Sequence, residues 1–222
     1  MAAVILKVQQ TIPGKPYMPH TTRSLPENEK TISKLIADQA TVLPEVSDDM
    51  FGQAFDHLGN AKVVLLGEAS HGTSEFYRAR AAITLHLVQN HGFNIVALES
   101  DWPDTAILDG YVRARKVPDI GQPPFSRFPK WMWRNQEFHA LLNALKAYNG
   151  TVDSDQDKAG LYGLDLYGMQ ASINAIINFL EEQDGELAKA AREHYSCLKP
   201  WADEPSRYGQ AAIQGKIKGC QK

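Results

Sequence analysis

Val63-Val64-Leu65-Leu66-Gly67-Glu68-Ala69-Ser70-His71-Gly72, residues 63–72, is the stretch that decides how this chain is read. Four consecutive branched aliphatics make a short strand buried on both faces, because no polar position alternates with them. Gly67 breaks the run, and an acid, a hydroxyl and an imidazole follow at once. Thr73, Ser74 and Glu75 are helix-opening types. Hydroxyls accept from the free N–H groups of a first turn, and an acid suits its positive end. A strand, a tight turn and a helix therefore meet at groups able to move protons. In open α/β sheets ligands bind in the crevice at the carboxyl ends of the strands, which makes this turn the first candidate for a site.

Outward from it, a helix is predicted over 74–90, with Phe76, Ala79, Ile83 and Leu87 on its inner face and Gly92 at its end. A second buried strand, Asn94 to Leu98, runs into Glu99-Ser100-Asp101, and Pro103 opens a helix to about Arg115. Strand, helix, strand in this order is a βαβ unit and implies a parallel sheet. Beyond a Pro- and Gly-rich loop at 116–129, Phe138, Leu141, Leu142 and Leu145 mark an amphipathic helix over 135–149. A third strand, Gly160 to Leu164, ends in Asp165, and helices follow over 171–180 and 186–198. Upstream, helices are predicted over 29–40 and from Asp48 through Leu58. Residues 1–28 hold Pro13, Pro16, Pro19 and Pro26 without a sustained period and read as an extended arm over the surface. The expected organisation is this arm, an α/β domain over 29–205 and an irregular tail over 206–222.

The bulk composition excludes several classes. A formal charge of −3 offers no basic face for nucleic acid and no attraction to an anionic membrane. The apolar stretch Ala2 to Leu6 is too short for a signal segment, and no run approaches the roughly 18 apolar residues of a spanning helix. Cys197 and Cys220 are the only cysteines, so no disulfide framework organises the fold. The expectation is a cytoplasmic protein with reduced thiols, acting on a small molecule, with no cofactor and an open oligomeric state.

Three strands end in acid-bearing turns: Glu68 with His71, then Glu99, then Asp165. In a parallel sheet these ends share one edge, so groups far apart in sequence can converge. His71 is the candidate general base, since imidazole titrates nearest neutrality. Glu68 and Glu99 are candidates to orient it or to hold a water, and ordinary capping or ion-pair roles stand beside that reading. Arg80 lies on or near the inward stripe of the helix and is the candidate to stabilise an oxyanion. Arg78 reads as a solvated position. Glu75 and Asp165 are assigned to substrate binding. A serine nucleophile at Ser70 fits the strand-turn-helix context, but Glu68 stands where the crowded nucleophile elbow needs a small residue. Glu68, His71 and Glu75 straddle a turn, and their spacing falls short of a zinc motif. No metal is assigned, and a divalent ion stays open as an alternative.

These residues resemble the erythromycin esterase family. The resemblance rests on V-V-L-L-G-E-A-S-H-G-T-S-E-F, Arg80, V-A-L-E-S-D-W, F-P-K-W-M-W-R-N-Q-E-F and G-L-Y-G-L-D-L-Y, across about residues 30–205. It implies an α/β fold with a parallel sheet and flanking helices, and hydrolysis of a carboxylic ester of macrolactone type. By match of motif the water-activating base is His71, with Glu68, Arg80 and Glu99 at the family's other cleft positions. The family also carries a histidine pair in a second half that nothing in these 222 residues matches. The resemblance thus predicts an incomplete sheet and half a site, with a catalytically incomplete, ligand-binding member and a metal-dependent hydrolase as alternatives.

Overall fold

A computed structural model of the chain describes residues 3–6, 29–67, 69–117, 123–127, 130–165, 168–202, 204–217 and 220. The strands are β1 (Ala3–Leu6), β2 (Val63–Leu66), β3 (Ile95–Asp101) and β4 (Gly160–Asp165). The helices are α1 (Glu29–Gln39), α2 (Ser74–His91), α3 (Trp102–Val112), α4 (Lys130–Trp133), α5 (Gln136–Asn149), α6 (Met169–Gln183), α7 (Gly185–Tyr195) and α8 (Pro205–Ile213). The expected helix near Phe51 is a 3-10 turn, Gly52–Leu58.

Strand order is β2-β1-β3-β4. β1 pairs antiparallel with both β2 and β3, and β3 pairs parallel with β4. So β2, β3 and β4 share one direction, as the βαβ reading predicts, but β2 and β3 are not neighbours. The expectation of a surface arm over 1–28 fails at residues 3–6, which pair on both sides inside the sheet; the arm's other residues lie outside the described set. Four apolar residues, Ala-Val-Ile-Leu, satisfy their backbone groups better between two strands than in water-facing coil. The irregular tail is also corrected, since α8 occupies 205–213 with Pro205 in its first turn.

Val64, Ile5, Val96 and Leu161 lie in one row across the four strands. Val64, Val96 and Leu161 of that row are buried, in one cluster with Leu87 and Val88 of α2, Val112 of α3 and Phe138, Leu141 and Leu145 of α5. The alternate row holds Leu65, 73% exposed, and Tyr162, 41% exposed. The reading of β2 as buried on both faces is therefore wrong: among the described residues, helices cover only the side of the core cluster. Periodicity alone cannot distinguish a strand awaiting a second layer from one that has it.

Two polar anchors fix the helices to the sheet. Asp109 of α3 accepts from the Leu161 backbone N–H at 2.8 Å and pairs with Arg113 one turn later. Asn149, the last residue of α5, is 3% exposed. It donates to the carbonyls of Val112 and Ala159, and its Oδ1 accepts from the Ala159 N–H. One amide thus joins the ends of α3 and α5 to the entry of β4.

No helix among the described residues is long and apolar enough to cross a membrane. Cys197 and Cys220 are joined in a disulfide, where reduced thiols were expected. It ties the end of α7 to the segment after α8, away from the core cluster. Replacing Asn149 by Ala leaves buried carbonyls and an N–H without partners, at about 1–3 kcal/mol. A lower urea midpoint with an unchanged slope is the expected result.

Candidate functional site

The turn after β2 is held from beneath. Arg80, on α2, is 8% exposed and donates from Nη1 to the Gly67 carbonyl at 3.1 Å. Its guanidinium also lies 6.0 Å from the centre of the Tyr77 ring. Ile83 and Leu87 of the predicted stripe are buried and Ala79 is half-buried, but in the first turn Tyr77 is buried and Phe76 is 39% exposed, so the inner face of α2 departs from the stripe there. The Tyr77 hydroxyl explains the shift, because it reaches the Met132 carbonyl at 2.8 Å. Gly72 has φ +74, a conformation that favours glycine. The Ser70 and Thr73 hydroxyls bond to each other at 2.7 Å across this turn.

His71 is exposed, and its ring meets Trp131 edge-on with centroids 6.1 Å apart. Beside it Gly72, Ser74, Tyr77, Trp131, Asn135 and Glu137 line an open pocket of about 470 Å³, within the usual range for small-molecule sites. Its walls are positioned from both sides. Asn135 caps α5 by accepting from the Phe138 N–H, and its amide donates back to the carbonyls of Trp131 and Met132. The Ser74 hydroxyl donates to Glu137 Oε1 at 2.5 Å, which holds the Glu137 carboxyl below the usual range. The pocket therefore has an aromatic wall in Trp131, whose ring also meets the His71 imidazole, and an anionic lining group in Glu137.

Among the described residues, Glu99 and Asp165 do not gather around this imidazole. Glu68 lies outside the described residues. Because β1 intervenes, the exits of β2 and β3 are two strand spacings apart, about 9–10 Å. Glu99 is exposed and shares its strand parity with Ala97, the opposite parity to buried Val96, Leu98 and Ser100. Its side chain therefore leaves the sheet on the face away from the core cluster. Glu75 is exposed in the first turn of α2. Asp165 pairs in register with Asp101, at the far edge from β2.

That far edge carries its own acid cluster. Asp101 accepts from the Gly168 N–H at 2.5 Å and from Arg127 Nη2 at 3.1 Å. Asp104 is 2% exposed, and its Oδ1 has no hydrogen-bond partner among the described residues. Desolvation raises the pKa of both; the Gly168 N–H and Arg127 oppose it at Asp101, and the Phe125 N–H opposes it at Asp104. Phe125 itself has φ +53, while its ring stacks on Trp133 at 5.5 Å.

Comparison with known proteins now bears on this arrangement. The erythromycin esterase family model matches residues 88–222, more than half of the chain. The chain belongs to the erythromycin esterase family. The match begins downstream of the His71 turn. Erythromycin esterase type II of Escherichia coli is 24% identical over 123 residues, which are 55% of this chain and 28% of that protein. A solved structure described as a succinoglycan biosynthesis protein aligns with a TM-score of 0.59 and 28% identity, over 81% of this chain and 45% of that one. A Bacillus cereus protein of known structure aligns with a TM-score of 0.58 and 24% identity, over 78% and 42%. The chain thus spans less than half the length of these relatives, and it has the same mixed helix-and-strand fold, with β3 and β4 parallel and helices flanking the sheet.

Sequence reasoning missed Tyr77, Trp131, Asn135 and Glu137 as pocket residues. The signal was the run W-M-W-R-N-Q-E, where Asn135 stands at an N-cap and a tryptophan precedes it by a single helical turn. It also passed over Asp101 and Asp104 in favour of Glu99. A carboxyl raised in the fold above its ordinary value stabilises the protein below that value and loses this contribution as pH rises through the folded pKa. Replacing Asp104 by Asn removes the loss. The variant's stability relative to wild type is therefore expected to climb from about pH 4 to pH 7 in urea titrations; a flat difference contradicts the assignment.

Proposed function

We propose that the site is one for hydrolysis of carboxylic esters, with His71 as the base that activates water. The observation that carries this reading is an exposed imidazole in the turn after a strand, edge-on to Trp131, a ring that lines the neighbouring pocket. Family membership supports ester hydrolysis as the reaction class. The attacking water loses a proton to His71 as its oxygen bonds to the ester carbonyl carbon, and the carbonyl oxygen becomes an oxyanion. The intermediate then breaks its bond to the alcohol oxygen, which takes the proton from the imidazolium. Carboxylic acid and alcohol leave, and His71 is restored.

Glu68, in the same turn, orients the imidazole in this proposal. Arg80 fixes the turn through the Gly67 carbonyl, and its buried charge favours the developing oxyanion. Glu75 at the start of α2 meets polar groups of the substrate. Glu99 and Asp165 line the remainder of the cleft edge and act at a distance from His71. The substrate class proposed is a macrolactone-type ester, with a role in resistance to such antibiotics, and erythromycin is the first compound to test. An open rather than enclosed pocket suits a substrate wider than the site.

Positioned proton transfer is worth about 10²–10⁴-fold, so His71→Asn and His71→Ala are expected to lose ester hydrolysis on that scale while folding normally. A folded variant with the wild-type rate discards the assignment. Trp131→Ala is expected to raise KM with kcat maintained, because the ring meets the substrate equally in ground and transition states.

One observation favours a second reading, a member that binds ligand without turnover: Glu99 and Asp165 stand on other strands and away from His71. Quenching of tryptophan fluorescence by erythromycin without hydrolysis distinguishes it.

A further inference from the structure

A second cluster of chemically capable side chains lies at the other end of α2 from the His71 turn. Asp56, on the 3-10 turn Gly52–Leu58, faces His86 and His91. Its Oδ1 is 2.6 Å from His86 Nε2 and 2.8 Å from His91 Nε2. The donor atoms of all three residues lie within 4.8 Å of one another, and among the described residues no other trio of His, Cys, Asp or Glu converges this closely. The two imidazoles are set into the fold, at 13% and 24% exposure, while Asp56 is 58% exposed at the mouth.

The backbone around the rings is shaped for them. A Cβ on Gly59 would fall 2.1 Å from His91 Nδ1, and one on Gly52 would fall 2.6 Å from His86 Cβ. Gly59 has φ −60, so its backbone does not require glycine; the space for the imidazole does. Asn90 lies with its side-chain amide 3.2 Å from His86 Nδ1. Ligating histidines characteristically have such a partner on the second nitrogen, fixing tautomer and ring orientation. The cluster also sits at the carboxyl end of an 18-residue helix, the end that favours positive charge.

We propose that Asp56, His86 and His91 form a site for a divalent transition-metal ion, separate from the pocket beside His71. Two imidazoles and a carboxylate are the donor set of zinc sites that leave a fourth position to water. Bonds of about 2.0–2.2 Å in tetrahedral geometry separate donors by about 3.3 Å. Asp56 therefore draws back from each ring by roughly half an ångström, which an exposed carboxylate does without disturbing the core. For the two Nε2 atoms to coordinate, the proton of each ring moves to its own Nδ1, and Asn90 receives that of His86 by turning its amide oxygen inward. No proton is lost in that exchange. A bound ion would clamp the 3-10 turn onto α2, so the site serves stability. This proposal does not depend on ester hydrolysis.

The test uses the full 222-residue chain after chelator treatment. Calorimetric titration with Zn²⁺ is expected to show one ion per chain, Zn²⁺ to raise the melting temperature, and Co²⁺ to give the strong visible absorption of a tetrahedral site. Asp56→Asn, His86→Gln and His91→Gln each remove a direct ligand. Each is expected to weaken binding by at least about 100-fold, the upper end of the loss for an outer-sphere partner. Circular dichroism reports whether the histidine variants fold. Asp56→Asn decides if they do not, since its side chain is largely solvent-exposed. His71→Asn is expected to bind as wild type does. Absence of stoichiometric uptake, or uptake undiminished in folded Asp56→Asn, overturns the proposal, because the Asp56–histidine contacts are then a hydrogen-bonded network alone.

Discussion

β1 is hydrogen-bonded between β2 and β3 and runs against both of them. A strand added in the middle of a sheet satisfies two rows of backbone groups at once. Its four residues thus carry a structural burden out of proportion to their number. They complete the row Val64–Ile5–Val96 between β2 and β3, the side on which α2, α3 and α5 close the core. They also set the distance between the exits of β2 and β3. The geometry of any site at this edge follows from that spacing.

The consequence is a division of labour along the edge. At the β2 end, the turn with His71 faces α4 and the start of α5, so the pocket is made from helices rather than from neighbouring strand ends. At the β4 end, Asp101 and Asp104 are desolvated beside Arg127 and the Gly168 N–H. That cluster joins β3, α3 and the start of α6, and it is costly to keep ionised. The imidazole and the carboxyls raised by desolvation therefore occupy opposite ends of the sheet.

The alternate face of the sheet carries Val63, Leu65, Tyr162 and Leu164, each more than 40% exposed. Exposed apolar positions in register on a sheet usually meet another layer. The same sequence run that makes β2 recognisable as a strand, with no polar alternation, is the signature of a strand covered on both sides. Solved relatives nearly twice as long align over this portion with TM-scores near 0.6, so these strands and helices are the part of the fold held in common.

The local features were legible in residues alone. The βα turn at 67–74, the helix behind it, the α5 stripe Phe138-Leu141-Leu142-Leu145 and the β4 run into Asp165 all follow from short-range rules of period, capping and turn composition. The parity that sends Glu99 away from the core was also in the sequence, since Val96, Leu98 and Ser100 alternate with it. Pairing partners were not legible. Hydrogen bonding between strands is carried by backbone groups that every residue shares, so nothing in Ala3–Leu6 announces that it separates β2 from β3. Nor does spacing reveal that Trp131 lies against His71, or that residues 56, 86 and 91 converge: those contacts arise where elements distant in the chain are pressed together by a common core. The sequence by itself determined the elements and the chemistry each one carries. Tertiary structure alone decided which of those chemistries meet, because proximity is a property of packing and not of the chain.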